Sequence, residues 1–280
     1  MSRVAEDVAR PVPTRADAEP GRRPPAFVMV PAAIGLAFLV LPALGLMVRA
    51  PWRTLPHELT STVVLDALRL SLVCATSATV CCLLLGVPLA WLLARSDIRG
   101  RSVLRAFVLV PLVLPPVVGG VALLTALGRR GIVGKWLDQA FGVTLPFTTA
   151  GVVVAETFVA LPFLVIVVEG ALRSAERRYD DAAATLGASR WYTFRRVTLP
   201  LVAPGIAAGA VLAWSRALGE FGATITFAGN FPGRTQTMPL AVYIALQTDP
   251  DAAIVLSLVL LGVSVLALAG LRERWISGTR

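Results

Sequence analysis

The segment SAERRYDDAAATLGASRWYTFRRVTLPLVAPG, residues 174–205, is charged and favours helix, and it separates two long apolar segments. Ser174 is placed to cap a short helix, whose N-terminal half is favoured by its acidic residues. Gly187 is expected to end that helix in the left-handed conformation, and Ser189 to cap the next one. Three consecutive alanines at 182–184 let the groove of a partner protein approach the backbone. The segment therefore predicts a docking helix, and the alternative is a solvated loop between two membrane helices.

The composition indicates a polytopic membrane protein. Hydrophobic residues make up 56% of the 280 residues and charged residues only 15%, whereas about a quarter of a soluble domain is charged. The net charge of +9 does not point to nucleic acid, because the arginines lie in short loops between apolar segments. The only histidine, His57, falls in a predicted loop, which excludes histidine triads and multi-histidine metal sites. Packing is the expected role of all three cysteines, Cys74, Cys81 and Cys82.

Six apolar runs have the length of a membrane span, about 20 residues. The fourth run is interrupted only by Glu156, and the third is predicted to bend where Pro115-Pro116 precedes Gly119-Gly120. The fold class is therefore all-α and integral to the membrane, with six transmembrane helices. The predicted spans are Phe27–Val48, Leu70–Ala94, Ala106–Leu127, Val143–Val168, Val197–Ser215 and Ala252–Leu271.

The chain divides into four predicted parts. Residues 1–26 are expected to be a disordered cytoplasmic tail rather than a signal peptide, and residues 27–60 the first transmembrane helix with its outer loop. Residues 61–271 form the transmembrane domain, which contains the loop 174–200, and residues 272–280 form a second cytoplasmic tail. The segments on one side hold about three times as many Arg and Lys residues as those on the other. This bias predicts a cell-membrane protein with both termini and the loop in the cytoplasm.

Polar residues within the spans are few, so each is a candidate for a role in transport. Arg216 and Glu220 stand one helical turn apart and are predicted to pair. The neutral polar residues that follow them are able to hold an oxyanion by their dipoles alone. A purely structural ion pair is the alternative, and Glu156 is expected to be a packing or interface residue. The predicted pathway residues are Arg216, Glu220, Thr224, Thr226, Asn230, Thr235, Gln236 and Thr237.

Two motifs resemble those of a known family. The first motif is an acidic residue followed by two alanines, then three residues, a glycine, nine residues and aliphatic-x-Leu-Pro. It resembles the coupling loop of ABC importer permeases, with Asp181 where glutamate is usual. The residues that match it are Asp181, Ala182, Ala183, Gly187, Val197, Leu199 and Pro200. The stretch RALGEFGATITFAGNFPGRTQTMPLAVY, residues 216–243, resembles the corresponding segment of molybdate permeases. Sulfate permeases are similar but typically read Gly-Glu-Tyr-Gly there and lack the Thr-Gln-Thr run.

This resemblance covers about residues 60–270 and implies a type I ABC importer permease fold. It implies a dimer of this chain in the lipid membrane, two ATP-binding cassette subunits that use ATP and Mg, and an external molybdate-binding protein. Molybdate or tungstate is then the cargo. This chain itself is expected to hold no cofactor and to be no enzyme, because its only lysine lies in Gly134-Lys135-Trp136 instead of the Gly-Lys-Ser/Thr of a P-loop.

Three other functions compete with this one. A permease for sulfate, thiosulfate or another oxyanion has nearly the same motifs. An ion-coupled secondary transporter is a more distant alternative, since the sequence shows no evident inverted repeat. An intramembrane enzyme is disfavoured, because Glu156 and Glu169 are weak candidates for paired catalytic carboxylates.

Overall fold

The computed structural model describes residues 26–175 and 178–277, and these residues form helices joined by loops and turns. The predicted tail at 1–26 lies, except for its last residue, outside the described residues. The helices in chain order are α1 (Ala26–Arg49), α2 (Leu55–Leu59), α3 (Thr62–Arg95), α4 (Arg101–Val113), α5 (Pro116–Leu127), α6 (Gly134–Phe141), α7 (Thr149–Ser174), α8 (Arg178–Thr185), α9 (Arg190–Thr193), a π-helical turn (Phe194–Thr198), α10 (Leu199–Leu218), α11 (Gly222–Ala228), α12 (Met238–Thr248) and α13 (Pro250–Ser277).

Five helices of the described residues are long and apolar enough to cross a membrane, and the bent pair of α4 and α5 makes six if it is counted as one span. The all-helical prediction and the number of spans agree with this result. Residues 26–48, which are α1 without its last residue, form one compact unit, and the described residues from Arg49 onward form the other.

The core of the second unit is formed by α3, α7 and α10, which pack on one another. Small residues make this packing close. The buried face of α3 presents Ala75, Ala78 and Ala90, and a Cβ atom added to Gly86 would lie 2.7 Å from Leu164 Cδ2. Gly209 of α10 likewise faces Leu164, whose carbonyl oxygen would lie 3.3 Å from an added Cβ atom. Lipid tails are as apolar as the helix surfaces, so the hydrophobic effect does not drive helices together in a membrane. They associate instead through close packing, which small residues permit.

The third predicted span is broken into two helices, α4 and α5, whose axes differ by 118°. Leu114 and Pro115 adopt extended conformations between them. The cause is local, because Pro115-Pro116 removes two backbone donors and each proline disfavours helix at the residue before it. The predicted bend at these prolines is therefore confirmed, and it separates two helices instead of kinking one.

Several predicted boundaries move in the structure. The fourth span begins at Thr149, where Thr148 accepts a hydrogen bond from the N–H of Gly151 over 3.0 Å. The fifth span begins seven residues early, since α9 and the π-helical turn continue into α10 as one apolar unit, Arg190–Leu218. The assignment of His57 to a loop was wrong, because it lies in the short helix α2.

Candidate functional site: the coupling loop and the polar pathway segment

The motif Asp181-Ala182-Ala183 lies on the eight-residue helix α8, which ends in a Schellman motif. Gly187 has φ of +78°, its N–H bonds the carbonyl of Ala184 over 3.0 Å, and the N–H of Ala188 bonds the carbonyl of Ala183 over 3.0 Å. Glycine is favoured at this position because a left-handed residue with a Cβ atom is strained. The sequence thus predicted where this helix ends.

The two caps predicted for the loop have different outcomes. Ser189 caps α9, and its Oγ accepts a hydrogen bond from the N–H of Tyr192 over 3.3 Å. Ser174 is instead the last residue of α7 and so does not cap the loop helix. Serine is tolerated at a helix C-terminus, and a side-chain oxygen alone does not show which of two adjoining helices it serves.

Large apolar side chains of the loop are exposed in a manner that the sequence analysis did not predict. Leu186 is 88% exposed, and the neighbouring Trp191 and Tyr192 are 67% and 57% exposed. The ring of Trp191 stacks on that of Phe194 with centroids 5.6 Å apart. An exposed aliphatic residue beside two exposed aromatic residues is typical of a surface that a partner covers.

A partly buried ion pair holds the loop to α3, and the sequence analysis missed it. Arg95 Nη1 lies 3.2 Å from Asp180 Oδ2, and the Arg95 side chain is only 9% exposed. Thr198 donates a hydrogen bond to Asp180 Oδ1 over 2.8 Å, and Arg95 Nη2 donates one to the carbonyl of Ala175 over 2.9 Å. An arginine at the end of an apolar run is visible in the sequence. It is equally well explained by the excess of arginine in cytoplasmic loops and by an ion pair, so the sequence alone does not reveal its partner.

The predicted pair of Arg216 and Glu220 is present at the end of α10. Arg216 Nη1 lies 2.6 Å from Glu220 Oε2, and Glu220 is almost fully buried. The second carboxylate oxygen of Glu220 accepts a hydrogen bond from the N–H of Ala223 over 2.9 Å, at the start of α11. The carboxylate therefore joins α10 to α11: Oε1 accepts a hydrogen bond, whereas Oε2 makes an ion contact with Arg216 and has no hydrogen-bond partner among the described residues.

The other predicted pathway residues differ in how their polar atoms are used. Thr226 donates to the carbonyl of Gly222 over 2.8 Å, and Thr235 accepts from the N–H of Phe231 over 2.9 Å. Within the described residues, three more have a buried oxygen atom without a hydrogen-bond partner: Thr224 Oγ1, Asn230 Oδ1 and Thr237 Oγ1. Gln236 is partly exposed between the two buried threonines 235 and 237. Buried oxygens without partners are uncommon in proteins and mark positions where a ligand or water is expected.

Close backbone contacts place this segment against α5. A Cβ atom added to Gly120 would lie 2.6 Å from Thr226 Cβ and 2.9 Å from the carbonyl oxygen of Ala223. One added to Gly222 would lie 2.7 Å from Pro116 Cβ. The glycines of both helices are thus required by packing.

Glu156 of α7 is also buried, and its Oε2 has no hydrogen-bond partner in the described part of the chain.

A cavity lies beside the predicted pathway residues and is lined by none of them. It encloses about 510 Å³ between Phe221 and the helices α12 and α13. The ring of Phe221 lies 5.1 Å from that of Tyr243 at one side of this cavity. Its walls are largely apolar, with Ser257 and Ser264 among the lining residues. An apolar surface of this kind does not suit a hydrated dianion, so the cavity supports no anion site.

Comparisons with known proteins agree on one family. Residues 86–278 match the family described as binding-protein-dependent transport system inner membrane component. The chain is 50% identical over 257 residues to the molybdenum transport system permease protein ModB of Mycobacterium tuberculosis, covering 91% of this chain and 96% of that protein. It is 41% identical over 212 residues to ModB of Escherichia coli K12, covering 76% of this chain and 93% of that one.

The fold is shared with solved importers. A chain of a bacterial ABC transporter that imports the acidic polysaccharide alginate superposes with a TM-score of 0.67 at 21% identity, covering 88% of this chain and 94% of its own. At this identity the likeness concerns the fold alone. The architecture is that of type I ABC importer permeases, as the loop motif implied.

Proposed function

The chain belongs to the family of binding-protein-dependent transport system inner membrane components, and on that premise we propose that it is the membrane-spanning subunit of an ATP-driven molybdate importer. The observation that carries the proposal is the 50% identity to a molybdenum permease over nearly the whole of both chains. The chain is a multi-pass membrane protein with five or six apolar spans. Its cargo is molybdate or tungstate, which are tetrahedral dianions of nearly equal size.

The partners follow from the chemistry that this chain lacks. Its only lysine stands in Gly134-Lys135-Trp136, so a P-loop is not formed by the usual motif, and ATP and Mg are used by two separate ATPase subunits. A binding protein on the outside delivers the anion. Two copies of the chain face each other, because six spans leave little room for a private pathway and a two-fold axis places one between the copies.

The loop 174–200 is the proposed contact with the ATPase. Both termini and this loop are placed in the cytoplasm, an orientation that the arginine bias supports. The exposed residues Leu186, Trp191 and Tyr192 provide the apolar area for docking, and the bare alanine backbone of α8 permits close approach. When the ATPase subunits close, the loop moves with them and the packed helices α3, α7 and α10 rock as rigid bodies.

The anion is proposed to pass the segment from Arg216 to Thr237. Because Arg216 and Glu220 neutralise each other, this pair contributes no net charge, and the unpartnered oxygens of Thr224 and Thr237 remain for the cargo. Hydroxyl groups are able to donate to an oxyanion without binding it so tightly that it fails to leave. Selection among oxyanions then rests on donor positions instead of on formal charge.

The test is uptake by the reconstituted complex. Vesicles that contain this chain, its ATPase and the external binding protein are supplied with radiolabelled molybdate, and unlabelled molybdate, tungstate or sulfate is added in excess. We expect ATP-dependent uptake that molybdate and tungstate suppress and sulfate leaves unchanged. Suppression by sulfate at equal concentration would favour a sulfate permease, and uptake driven by an ion gradient without ATP would overturn the importer proposal.

A further inference from the structure

The helix α3 contacts the coupling loop and also Met238, the residue that directly follows the polar pathway segment, although it is connected covalently to neither. We propose that α3 transmits motion from the loop to the pathway, with Arg95 as the positioning residue at one end and Ser71 at the other. The inference rests on the proposed function, and it adds a route that the chain connectivity does not provide. The loop is joined by the backbone only to α7 and α10.

At the loop end, Asp180 is the point where α3 and α10 meet α8. Its carboxylate contacts Arg95 of α3 over 3.2 Å and accepts from Thr198, at the start of α10, over 2.8 Å. Arg95 also donates to the carbonyl of Ala175, at the end of α7. The Arg95 side chain is only 9% exposed and that of Asp180 is 29% exposed, so the pair is partly shielded from water and salt. Such charge-assisted bonds are stronger than neutral ones.

A second contact lies one helical turn before Arg95. The ring of Trp91 meets that of Phe194 edge to face, with centroids 5.1 Å apart. Phe194 belongs to the π-helical turn in the second half of the loop, whereas Asp180 belongs to the helix α8 in its first half. The last turns of α3 therefore hold both halves of the loop, and a displacement of either half reaches α3. Edge-to-face aromatic pairs contribute to such contacts beyond their buried area.

At its other end, α3 forms a hydrogen bond to the backbone directly after the polar segment. Ser71 Oγ accepts a hydrogen bond from the N–H of Met238 over 2.7 Å, and both residues are fully buried. Met238 begins α12 directly after Thr235-Gln236-Thr237. Ser71 and Arg95 are 24 positions apart, so about 36 Å of helix separates them at 1.5 Å per residue. A shift of α3 along this length therefore moves the threonine run with it.

The first experiment removes the contact between α3 and the coupling loop and is carried out in the whole complex. Arg95→Gln and Asp180→Asn are each expected to lower the molybdate transported per ATP hydrolysed by about 5- to 10-fold, the range of a modest coupling energy. The double variant is expected to lose no more than the worse single variant, because both changes remove one contact. Arg129→Gln is the matched control, since it breaks an exposed ion pair with Asp138 over 3.0 Å and should change nothing.

Thr198→Val keeps this test informative if an Arg95 variant does not assemble. It removes only the hydrogen bond to Asp180 and is expected to give a smaller loss of coupling, about twofold. The proposal is overturned if Asp180→Asn and Thr198→Val both leave the ratio of transport to hydrolysis unchanged in assembled complexes. It is likewise overturned if the losses of Arg95→Gln and Asp180→Asn multiply in the double variant.

The second experiment tests whether the two ends of α3 act in one route. Ser71→Ala is expected to lower the same ratio about threefold, while Thr79→Val is expected to leave it unchanged. Thr79 is the matched control because it is buried in the same helix and its hydroxyl donates to the carbonyl of Ala75 of α3, over 2.7 Å, with no further side-chain bond among the described residues. If α3 is the route, Ser71→Ala adds little to the loss caused by Arg95→Gln. Multiplying losses would show two independent routes and contradict the proposal.

The outcomes separate this inference from the proposed function. If the unmodified complex hydrolyses ATP and moves no molybdate, the importer proposal fails, whatever the variants do. If the unmodified complex transports molybdate and the Arg95, Asp180 and Ser71 variants transport it with an unchanged ratio to hydrolysis, only the role of α3 fails.

Discussion

The coupling loop and the pathway segment are both unusually polar for this chain, yet they use their polar groups in opposite ways. The loop exposes Leu186 and Trp191, and a partly buried ion pair of Arg95 with Asp180 attaches it to the helix core. The pathway segment buries Glu220 and the threonines 224, 235 and 237, and most of its hydrogen bonds are local. A surface that a partner moves needs a firm attachment behind it, whereas a surface that passes an ion needs donors not already engaged.

The largest expected effect comes from Gly187→Val, which changes the loop and leaves the pathway segment untouched. A β-branched residue at φ of +78° is strained by about 1–2 kcal/mol or more, so the loop is expected to leave its docking conformation. We expect ATP-dependent molybdate uptake to fall more than about tenfold, while the complex still hydrolyses ATP. Uptake and phosphate release are measured together in reconstituted vesicles.

Gly142→Val is the control for backbone strain. Gly142 has φ of +64° after the eight-residue helix α6, and at both glycines an added Cβ atom meets nothing within 4 Å among the described residues. The two variants therefore share the same local cost and differ in location. Equal losses of uptake would show that folding, and not docking, accounts for the effect at Gly187.

Arg216→Gln is the next largest change and tests the pathway segment. Glu220 loses its cationic partner and keeps only the N–H of Ala223, so a negative charge remains where the anion is proposed to pass. We expect uptake to fall about tenfold while the complex assembles normally, as judged by size-exclusion chromatography. Normal uptake would reduce the pair to a structural contact.

Gly120→Ala is expected to have a moderate effect on both stability and transport. The added Cβ atom would lie 2.6 Å from Thr226 Cβ and 2.9 Å from the carbonyl oxygen of Ala223, so α11 must shift. Overpacking of this kind costs about 1–3 kcal/mol, and we expect a lower Tm in detergent with a several-fold loss of uptake. Gly119→Ala is the control, because its Cβ atom would meet only the Phe158 ring, at 3.2 Å, which is able to rotate. An equal loss of Tm in both variants would contradict the packing argument.

The smallest expected effect comes from a comparison of two threonine variants in α11. Thr224→Val removes a buried hydroxyl that has no hydrogen-bond partner in the described residues, so stability should not fall. Uptake at limiting molybdate is expected to drop about two- to threefold, since one neutral donor to the anion is lost. Thr226→Val is the comparison, because that hydroxyl already bonds Gly222. A larger loss of uptake in Thr226→Val would reverse the roles that the structure gives to the two side chains.

Local sequence signals predicted those features that depend on local physics. Gly187 ends its helix with a positive φ, Ser189 caps the next one, and Pro115-Pro116 breaks the third span. Each of these results follows from the conformational limits of one or two residues. The i, i+4 pair of Arg216 and Glu220 was predicted from its spacing, and it forms although Glu220 lies two residues beyond the end of α10.

Features that depend on tertiary contacts were not predictable. The partner of Arg95 is 85 positions away, and the acceptor of the Met238 N–H is 167 positions away. Neither pairing leaves a periodic pattern in the sequence. The predicted donors of the pathway segment were likewise identified only by residue type, whereas burial and local bonding divide them into engaged and unengaged oxygens.

A crosslink from the loop to the ATPase tests the central claim most directly. Leu186 is 88% exposed at the turn of the loop, and Leu186→Cys is introduced after the native Cys74, Cys81 and Cys82 have been replaced by alanine. A bifunctional reagent is predicted to join this cysteine to the ATPase subunit, with a yield that changes when ATP binds. Labelling of the same cysteine by a membrane-impermeant reagent from outside the cell, with no crosslink to the ATPase, would contradict the account.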